Sequence, residues 1–173
     1  ETIAGVIEGQ FSGERVRIQL SPPFDLNLQQ SLELDGLLHA VHSVNTGVPH
    51  AVLFVDDLST AEVKRIGAAT RYHSHFAPAG TNVNFVQVLA PDRLSIRTYE
   101  RGVEDETLAC GTGMVASAIV HHELTGSPVP IHVEVLGGDT LEVDFTRRAS
   151  GAYEEVTLLG PADFTFSGTL SSF

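Results

Sequence analysis

The only cysteine of the chain stands where a helix is predicted to begin, and it is the first candidate for chemistry. Cys110 opens the segment Cys-Gly-Thr-Gly at residues 110–113, after a strand-like segment and a short acidic loop. The glycines leave the backbone open to a ligand, and Thr112 can cap the helix and donate its hydroxyl. Backbone N–H groups of a first helical turn favour a carboxylate and can lower a cysteine pKa. The pattern indicates proton transfer beside a carboxylate, or acyl chemistry; the alternative is a small buried apolar residue.

The histidines divide into one candidate base and several structural residues. Acyl chemistry would need a histidine base, and His50 in GVPHAV is the candidate. His121 and His122 fall on the far turns of the predicted helix and are interpreted as structural or solvent-facing. The His-Ser-His segment at residues 73–75 has no further ligand at metal spacing, so no metal site is predicted. The strand-like segments hold three histidines that are predicted to be at the surface or half-buried: His39, His42 and His132.

Two polar pairs have a structural and a functional interpretation. Glu100 and Arg101 are, on pattern alone, a cross-strand charge pair. They would also suit a clamp in which the guanidinium binds a carboxylate and the acid binds an ammonium. Asn82 and Asn84, in GTNVNF, either form loop turns or, at Asn82, hold the polar end of an amino acid. Together these residues indicate a small-molecule site near Cys110.

Composition limits the class of protein. The 173 residues include 10 basic and 22 acidic side chains, which gives a net charge of −12. This balance argues against nucleic acid and anionic membranes as partners. No apolar run approaches the roughly 20 residues that span a bilayer. A single cysteine excludes an internal disulfide framework and favours a reducing cytoplasm.

The elements that must position these residues are many strands and two helices. Residues 21–36, with two prolines, are predicted to be an irregular connector between lobes. The helix over residues 114–124 is apolar on nearly every side, which predicts that sheet surrounds it. The class is therefore α+β, a curled mixed or antiparallel sheet around a central helix. The other predicted elements are strands at 3–8, 15–20, 37–44, 51–55, 85–89, 93–100, 130–136, 140–145 and 153–159, and a helix at 61–69 capped from residues 56–60.

At this point the motifs resemble a known family. TYERGVEDETLACGTG resembles the second cysteine motif of the diaminopimelate epimerases, and NTGVPHAVLFVDD resembles their segment before a helix of the second domain. GTNVNFVQV and ETIAGVIEG occur in the order the family has them. The resemblance implies one lobe of a pseudo-symmetric two-lobed fold, with the active site in the cleft between lobes.

The resemblance also implies how the chain is divided. Residues 1–20 would be the last strands of a missing N-terminal lobe, 21–152 the C-terminal lobe, and 153–173 a strand and tail that return to the first lobe. The first residue is not Met and the family's other cysteine loop is absent, so the chain is expected to be the C-terminal half of the protein. That half alone is expected to be inactive.

The implied reaction is epimerisation of L,L-diaminopimelate to the meso form, without a cofactor and without a metal. One thiolate removes the α-proton and a thiol on the opposite face returns one, which requires two acid/base groups. The resemblance assigns catalytic roles to Cys110, His50 and Glu100. Substrate binding falls to Asn82, Glu100, Arg101, Gly111 and Thr112. Val48 stands where many members have Asn, so one polar contact would be lost.

The resemblance further implies a homodimer, a cytoplasmic location and a place in lysine synthesis. Two alternatives stay open. The chain could belong to another isomerase of the same superfold, such as a proline racemase or a PhzF-like enzyme. It could also be a non-catalytic fragment that binds carboxylates.

Overall fold

The computed structural model describes residues 7–164 and 166–169, and within them eleven strands form one mixed sheet with two α-helices. Single-turn 3₁₀ helices lie at Leu58–Thr60 and Ser74–Phe76. The strands are β1 (Gly9–Ser12), β2 (Arg15–Gln19), β3 (Phe24–Leu34), β4 (Leu37–Asn45), β5 (Pro49–Phe54), β6 (Asn82–Ala90), β7 (Arg93–Glu100), β8 (Asp105–Thr107), β9 (Ile131–Val135), β10 (Thr140–Arg147) and β11 (Tyr153–Pro161); the helices are α1 (Val63–Arg71) and α2 (Gly111–Thr125).

The sheet curls around α2. Its strand order is β1-β2-β11-β10-β9-β7-β6-β5-β4-β3, and β8 pairs with β7 beside this path. The pairs β5–β6 and β7–β9 are parallel, and the remaining pairs are antiparallel. Helix α2 contacts seven strands: β4, β5, β6, β7, β9, β10 and β11. The predicted α+β class, a mixed sheet around a central helix, is confirmed.

Helix α2 is buried on every side, as its composition predicts. Each residue from Gly113 to His121 is buried, and Met114 and Ile119 are among the largest fully buried side chains. An apolar helix without a polar face is stable only when protein surrounds it, and here the curled sheet does so. None of the helices in the described part of the chain is long and apolar enough to cross a lipid bilayer.

Helix α1 lies outside the curl and covers a second, smaller core. Val63 and Ile66 pack with Leu53 and Phe85. The helix begins at Val63, two residues later than predicted, because Asp57 caps the preceding 3₁₀ turn by accepting from the Ser59 N–H at 2.8 Å.

The predicted connector at residues 21–36 is wrong: most of it is β3, which pairs with β4 as the edge strand of the sheet. The sequence from Phe24 to Leu34 alternates leucine with polar residues, which is a strand pattern. Irregular pairing near Asp25 and Gln29, each with φ of 54°, lets the strand bend without losing that alternation. The prolines lie before the strand, so they do not interrupt it.

The other predicted boundaries hold with shifts of a few residues. The first strand within the described residues is Gly9–Ser12. Of the strand predicted at residues 3–8, only Ile7 and Glu8 are described, and they belong to no strand; residues 3–6 lie outside the described part of the chain. The predicted hairpin of β9 and β10 is confirmed. Strand β11 pairs with both β10 and β2, so β1 and β2 continue the same sheet. The assignment of residues 1–20 and 153–173 to another lobe stays a prediction.

Candidate active site

Three adjacent strands and the first turn of α2 place the candidate residues together. His50 on β5 is in register with Asn82 on β6, and Asn84 is in register with Thr98 on β7. Because side chains two residues apart share a face of a strand, Asn82 and Asn84 both face the helix side with His50. Cys110 is the N-cap residue of α2 and is half-buried.

A chain of hydrogen bonds connects these strands to the cysteine. Asn84 Nδ2 lies 3.1 Å from His50 Nδ1, and His50 Nε2 lies 2.9 Å from Thr112 Oγ1. Thr112 Oγ1 is 3.7 Å from Cys110 Sγ, within hydrogen-bond range for sulfur. The Thr46 hydroxyl donates to the Thr112 carbonyl at 3.0 Å and connects the helix start to the turn after β4. His50 and Cys110 therefore communicate through the Thr112 hydroxyl.

His50 is held neutral. Burial, together with a smaller contribution from the positive charge of Arg101, lowers the pKa of His50 to about 3. Its side chain is 1% exposed, so no solvent replaces the lost hydration of an imidazolium. His50 therefore acts at neutral pH as an uncharged hydrogen-bonding group.

The environment of Cys110 favours the thiol. Burial raises the pKa of the Cys110 thiol, and the charge of Glu100 raises it as well. Hydrogen bonds from Thr112 and from the Gly113 N–H act in the opposite direction but are outweighed. The sequence pattern predicts a lowered cysteine pKa at this helix end; the structure corrects that prediction, because desolvation exceeds the helix-end contribution.

Glu100 and Arg101 do not form the cross-strand charge pair that the pattern favours. In the described residues neither makes an ion pair. The Arg101 N–H donates to Asn82 Oδ1 at 2.9 Å, and its guanidinium donates to the Ala79 carbonyl at 3.2 Å. The charge of Glu100 raises the pKa of Cys110 and the charge of Arg101 lowers the pKa of His50, so both residues lie near the hydrogen-bonded chain. Uncommitted charges of opposite sign are suited to a zwitterionic ligand.

The two glycines of the cysteine segment differ in what they allow. A Cβ at Gly113 would lie 2.3 Å from Asn84 Oδ1, so this glycine permits β6 to approach the helix. A Cβ at Gly111 would lie 3.2 Å from the end of the Leu158 side chain, a contact that a small shift relieves. Gly111 and Thr112 are half-buried.

The remaining histidines lie away from the cysteine. His121 is buried and bonded to the Pro91 carbonyl at 2.8 Å, a structural role that the sequence predicts. His42 is also buried, 5% exposed, which corrects the prediction of a surface or half-buried position. It is buried because its Nδ1 accepts from the Gln29 N–H at 3.1 Å, inside the irregular pairing of β3. The described residues contain no group of three or more potential metal ligands.

Sequence reasoning missed the part that Asn84 and Thr98 play. Thr98 is buried and donates to Asn84 Oδ1 at 3.0 Å. The available signal was the spacing Asn82-x-Asn84 within a strand, which places two amides on one buried face instead of in a turn. A buried amide needs hydrogen-bond partners, and here those partners include the site histidine.

The comparison of sequences decides the family. The diaminopimelate epimerase family model matches residues 42–163, which include every candidate site residue. A diaminopimelate epimerase of Aquifex aeolicus is 44% identical over 99% of this chain, and one of Chlorobaculum tepidum is 43% identical over 95%. The chain belongs to the diaminopimelate epimerase family. It spans 61% and 62% of the length of these two relatives, so they contain a large region that it does not match.

Solved structures with the same fold have low sequence identity to this chain. A probable proline racemase of Agrobacterium radiobacter K84 superposes with a TM-score of 0.71, over 97% of this chain and 58% of that chain, at 17% identity. A PhzF-family protein of Bacillus anthracis gives 0.65 over 90% of this chain and 61% of that chain, at 12% identity. At these identities the likeness concerns the fold alone. The sequence matches place the chain in the diaminopimelate epimerase family.

Proposed function

We propose that this chain supplies one of the two acid/base thiols of a diaminopimelate epimerase, with Cys110 as that thiol. The observation that carries the proposal is the hydrogen-bonded chain from His50 through Thr112 to Cys110, beside the uncommitted charges of Glu100 and Arg101. The reaction inverts the configuration at one α-carbon, from L,L- to meso-diaminopimelate.

The proton inventory follows from the protonation states. Inversion needs a base on one face of the α-carbon and an acid on the other. Burial raises the pKa of Cys110, so its resting form is the thiol, which can deliver a proton. The base in that direction would be a second thiolate, supplied from outside these 173 residues, which hold one cysteine. The Aquifex aeolicus relative is longer by a region that the chain does not match. In the reverse direction Cys110 becomes the thiolate, and the Thr112 hydroxyl stabilises it.

The same geometry suggests how the amino acid is held. The N–H groups of Gly111 and Thr112 at the start of α2 would bind the α-carboxylate, whose charge grows as the proton leaves. Arg101 and Glu100 would bind a carboxylate and an ammonium, and Asn82 would position the distal amino acid end. Val48, half-buried in the turn before His50, offers no side-chain hydrogen bond there.

His50 would act on Cys110 through Thr112 without exchanging a proton itself. A base with a pKa of about 3 is neither a cation nor a useful proton acceptor at neutral pH. Its contribution is to hold the Thr112 hydroxyl in place. The negative charge of Glu100 raises the pKa of Cys110, and its carboxylate would contact the substrate ammonium.

Three broader inferences rest on family membership and composition. The protein would act as a homodimer, in the cytoplasm, in the synthesis of lysine. It would use no cofactor, because two thiols and a carboxylate-binding helix end meet the chemical needs of the inversion.

The test is solvent deuterium exchange at the α-carbon of L,L-diaminopimelate under reductant. The chain alone should give no exchange. The chain joined to the region of the Aquifex aeolicus relative that it does not match, hereafter the completed protein, should give exchange and meso product. A folded completed protein that binds diaminopimelate without exchange would favour the carboxylate-binding alternative. Exchange of proline but not diaminopimelate would favour a proline racemase.

A further inference from the structure

Asn84 is a buried amide whose every polar group is engaged. Its Nδ2 donates to the Ala51 carbonyl at 3.0 Å and lies 3.1 Å from His50 Nδ1, and its Oδ1 accepts from the Thr98 hydroxyl at 3.0 Å. A backbone carbonyl can only accept, so the nitrogen of the amide must be the atom near Ala51. The same nitrogen then presents its second hydrogen to His50.

This orientation fixes the proton of the imidazole. Because an N–H of Asn84 faces His50 Nδ1, that ring nitrogen must be unprotonated. A neutral imidazole has one ring hydrogen, which therefore lies on Nε2 and is donated to Thr112 Oγ1, 2.9 Å away. Thr112 has then accepted one hydrogen bond, and its own hydrogen is available to Cys110 Sγ, 3.7 Å away.

We propose that Asn84 is a positioning residue that locks His50 in the Nε2–H form and thereby directs the Thr112 hydroxyl hydrogen at Cys110 Sγ. In the other tautomer His50 Nε2 would accept from Thr112, and the hydroxyl hydrogen would be taken from the cysteine. The amide on β6 thus sets the polarity of the whole chain of hydrogen bonds.

The importance of this lock for proton transfer rests on the proposed function, but the lock itself is measured without substrate. Nitrogen NMR of the uniformly labelled chain, with the His50→Gln variant to assign the signals, reports the tautomer directly. A protonated Nε2 and an unprotonated Nδ1 at neutral pH are expected. A protonated Nδ1, alone or in an imidazolium, would overturn the proposal even if the epimerase assignment stands.

Asn84→Asp tests the consequence at the sulfur. A carboxylate only accepts, so it should draw the imidazole hydrogen to Nδ1 and reverse the chain. Since the chain has one cysteine, its alkylation rate as a function of pH reports the Cys110 thiolate alone. Loss of one hydrogen bond should lower the thiolate fraction at a fixed pH about tenfold. Glu100 beside Cys110 and Arg101 beside His50 are unchanged in this comparison.

The control is Asn82→Asp, because it adds the same charge two residues away on the same strand face. Asn82 bonds to Arg101 and Pro49 and not to His50, so the His50 tautomer should stay unchanged.

Double substitution separates charge from hydrogen bonding. If Asn84 acts through Thr112, the double variant Asn84→Asp/Thr112→Val should lose no more thiolate than Thr112→Val alone, beyond the loss that the added charge causes in Asn82→Asp. Two independent, additive losses would contradict the proposal. If Asn84→Asp does not fold, the tautomer of the unsubstituted chain decides the question.

Discussion

Histidine and threonine side chains lie at both ends of helix α2, but their hydrogen bonds lead to different kinds of partner. At the C-terminal end, His121 bonds to the Pro91 carbonyl at 2.8 Å, and the Thr125 hydroxyl donates to the His121 carbonyl at 2.7 Å. His122 bonds to the Ser127 carbonyl at 2.7 Å. The Ser127 hydroxyl also lies 3.0 Å from His121 Nε2 and 2.6 Å from Thr125 Oγ1, but the group ends on the backbone carbonyls of Pro91 and His121.

At the N-terminal end, a histidine and a threonine instead form a chain that ends on a sulfur. His50 reaches Thr112, and Thr112 reaches the half-buried Cys110. Residue types alone do not distinguish the two ends. The two ends are distinguished by the atom at which each series of buried hydrogen bonds ends. A backbone carbonyl only accepts a hydrogen bond, whereas a half-buried thiol can also react.

The largest expected difference between the ends is in turnover. Cys110→Ala in the completed protein should lower α-proton exchange by at least about 100-fold, the lower range for loss of a positioned acid/base group. The thermal midpoint should change little, because Cys110 is only half-buried and the substitution removes a single sulfur atom. His122→Gln at the other end is the matched control and should retain full exchange per folded molecule. Retained exchange in Cys110→Ala would exclude the thiol from the reaction.

Two glycine substitutions compare the ends by stability. Gly113→Ala should cost about 1–3 kcal/mol, because its Cβ would meet Asn84 Oδ1 in a packed core. Gly126→Ala should cost about 1–2 kcal/mol through its φ of +70° alone, since nothing lies within 4 Å of its Cβ. Chemical denaturation measures both costs.

Only Gly113→Ala should also change the rate of Cys110 alkylation. Equal alkylation rates in the two glycine variants would show that Asn84 is not connected to the cysteine.

The buried His50 should make stability depend on pH. Its folded pKa of about 3 lies below its ordinary value of 6.5, so the unfolded chain binds the extra proton between these values. This contribution is therefore complete above pH 6.5 and is lost as the pH falls toward 3. Between pH 7.5 and 5 the free energy of unfolding should fall by about 2 kcal/mol through His50. Denaturation curves at pH 7.5 and pH 5 give the free energy of unfolding of the chain and of His50→Gln. The decrease between the two pH values should be larger in the chain than in the variant by this amount; an equal decrease would contradict a buried, neutral histidine.

The smallest expected effect is on ligand affinity. Arg101→Lys keeps the charge but removes the planar guanidinium, so the completed protein should bind diaminopimelate about tenfold more weakly. Arg93→Lys, at the other end of β7, is the control, because Arg93 is already paired with Glu134 at 2.6 Å. Isothermal titration with diaminopimelate checks both. Equal losses in the two variants would mean that Arg101 does not contact the substrate.

Much of the fold could be predicted from the chain. The apolar composition of residues 114–124 predicts a helix surrounded by sheet, and it is. The predicted connector at residues 21–36 shows the limit: prolines near its start obscured the alternation of leucines in β3. A proline removes the ladder N–H at its own position only, so two prolines do not exclude an edge strand that begins directly after them.

The amino-acid sequence by itself determined that there is one thiol, that it lies at a helix start just before two glycines, and which family the motifs resemble. These are local properties, set by neighbouring residues. The tertiary structure alone decided that Asn84 on β6 reaches His50 on β5, that Thr112 joins them to Cys110, and that burial raises the cysteine pKa. Strand register and desolvation depend on segments 34 and 62 residues apart meeting in one core, and no local pattern encodes that.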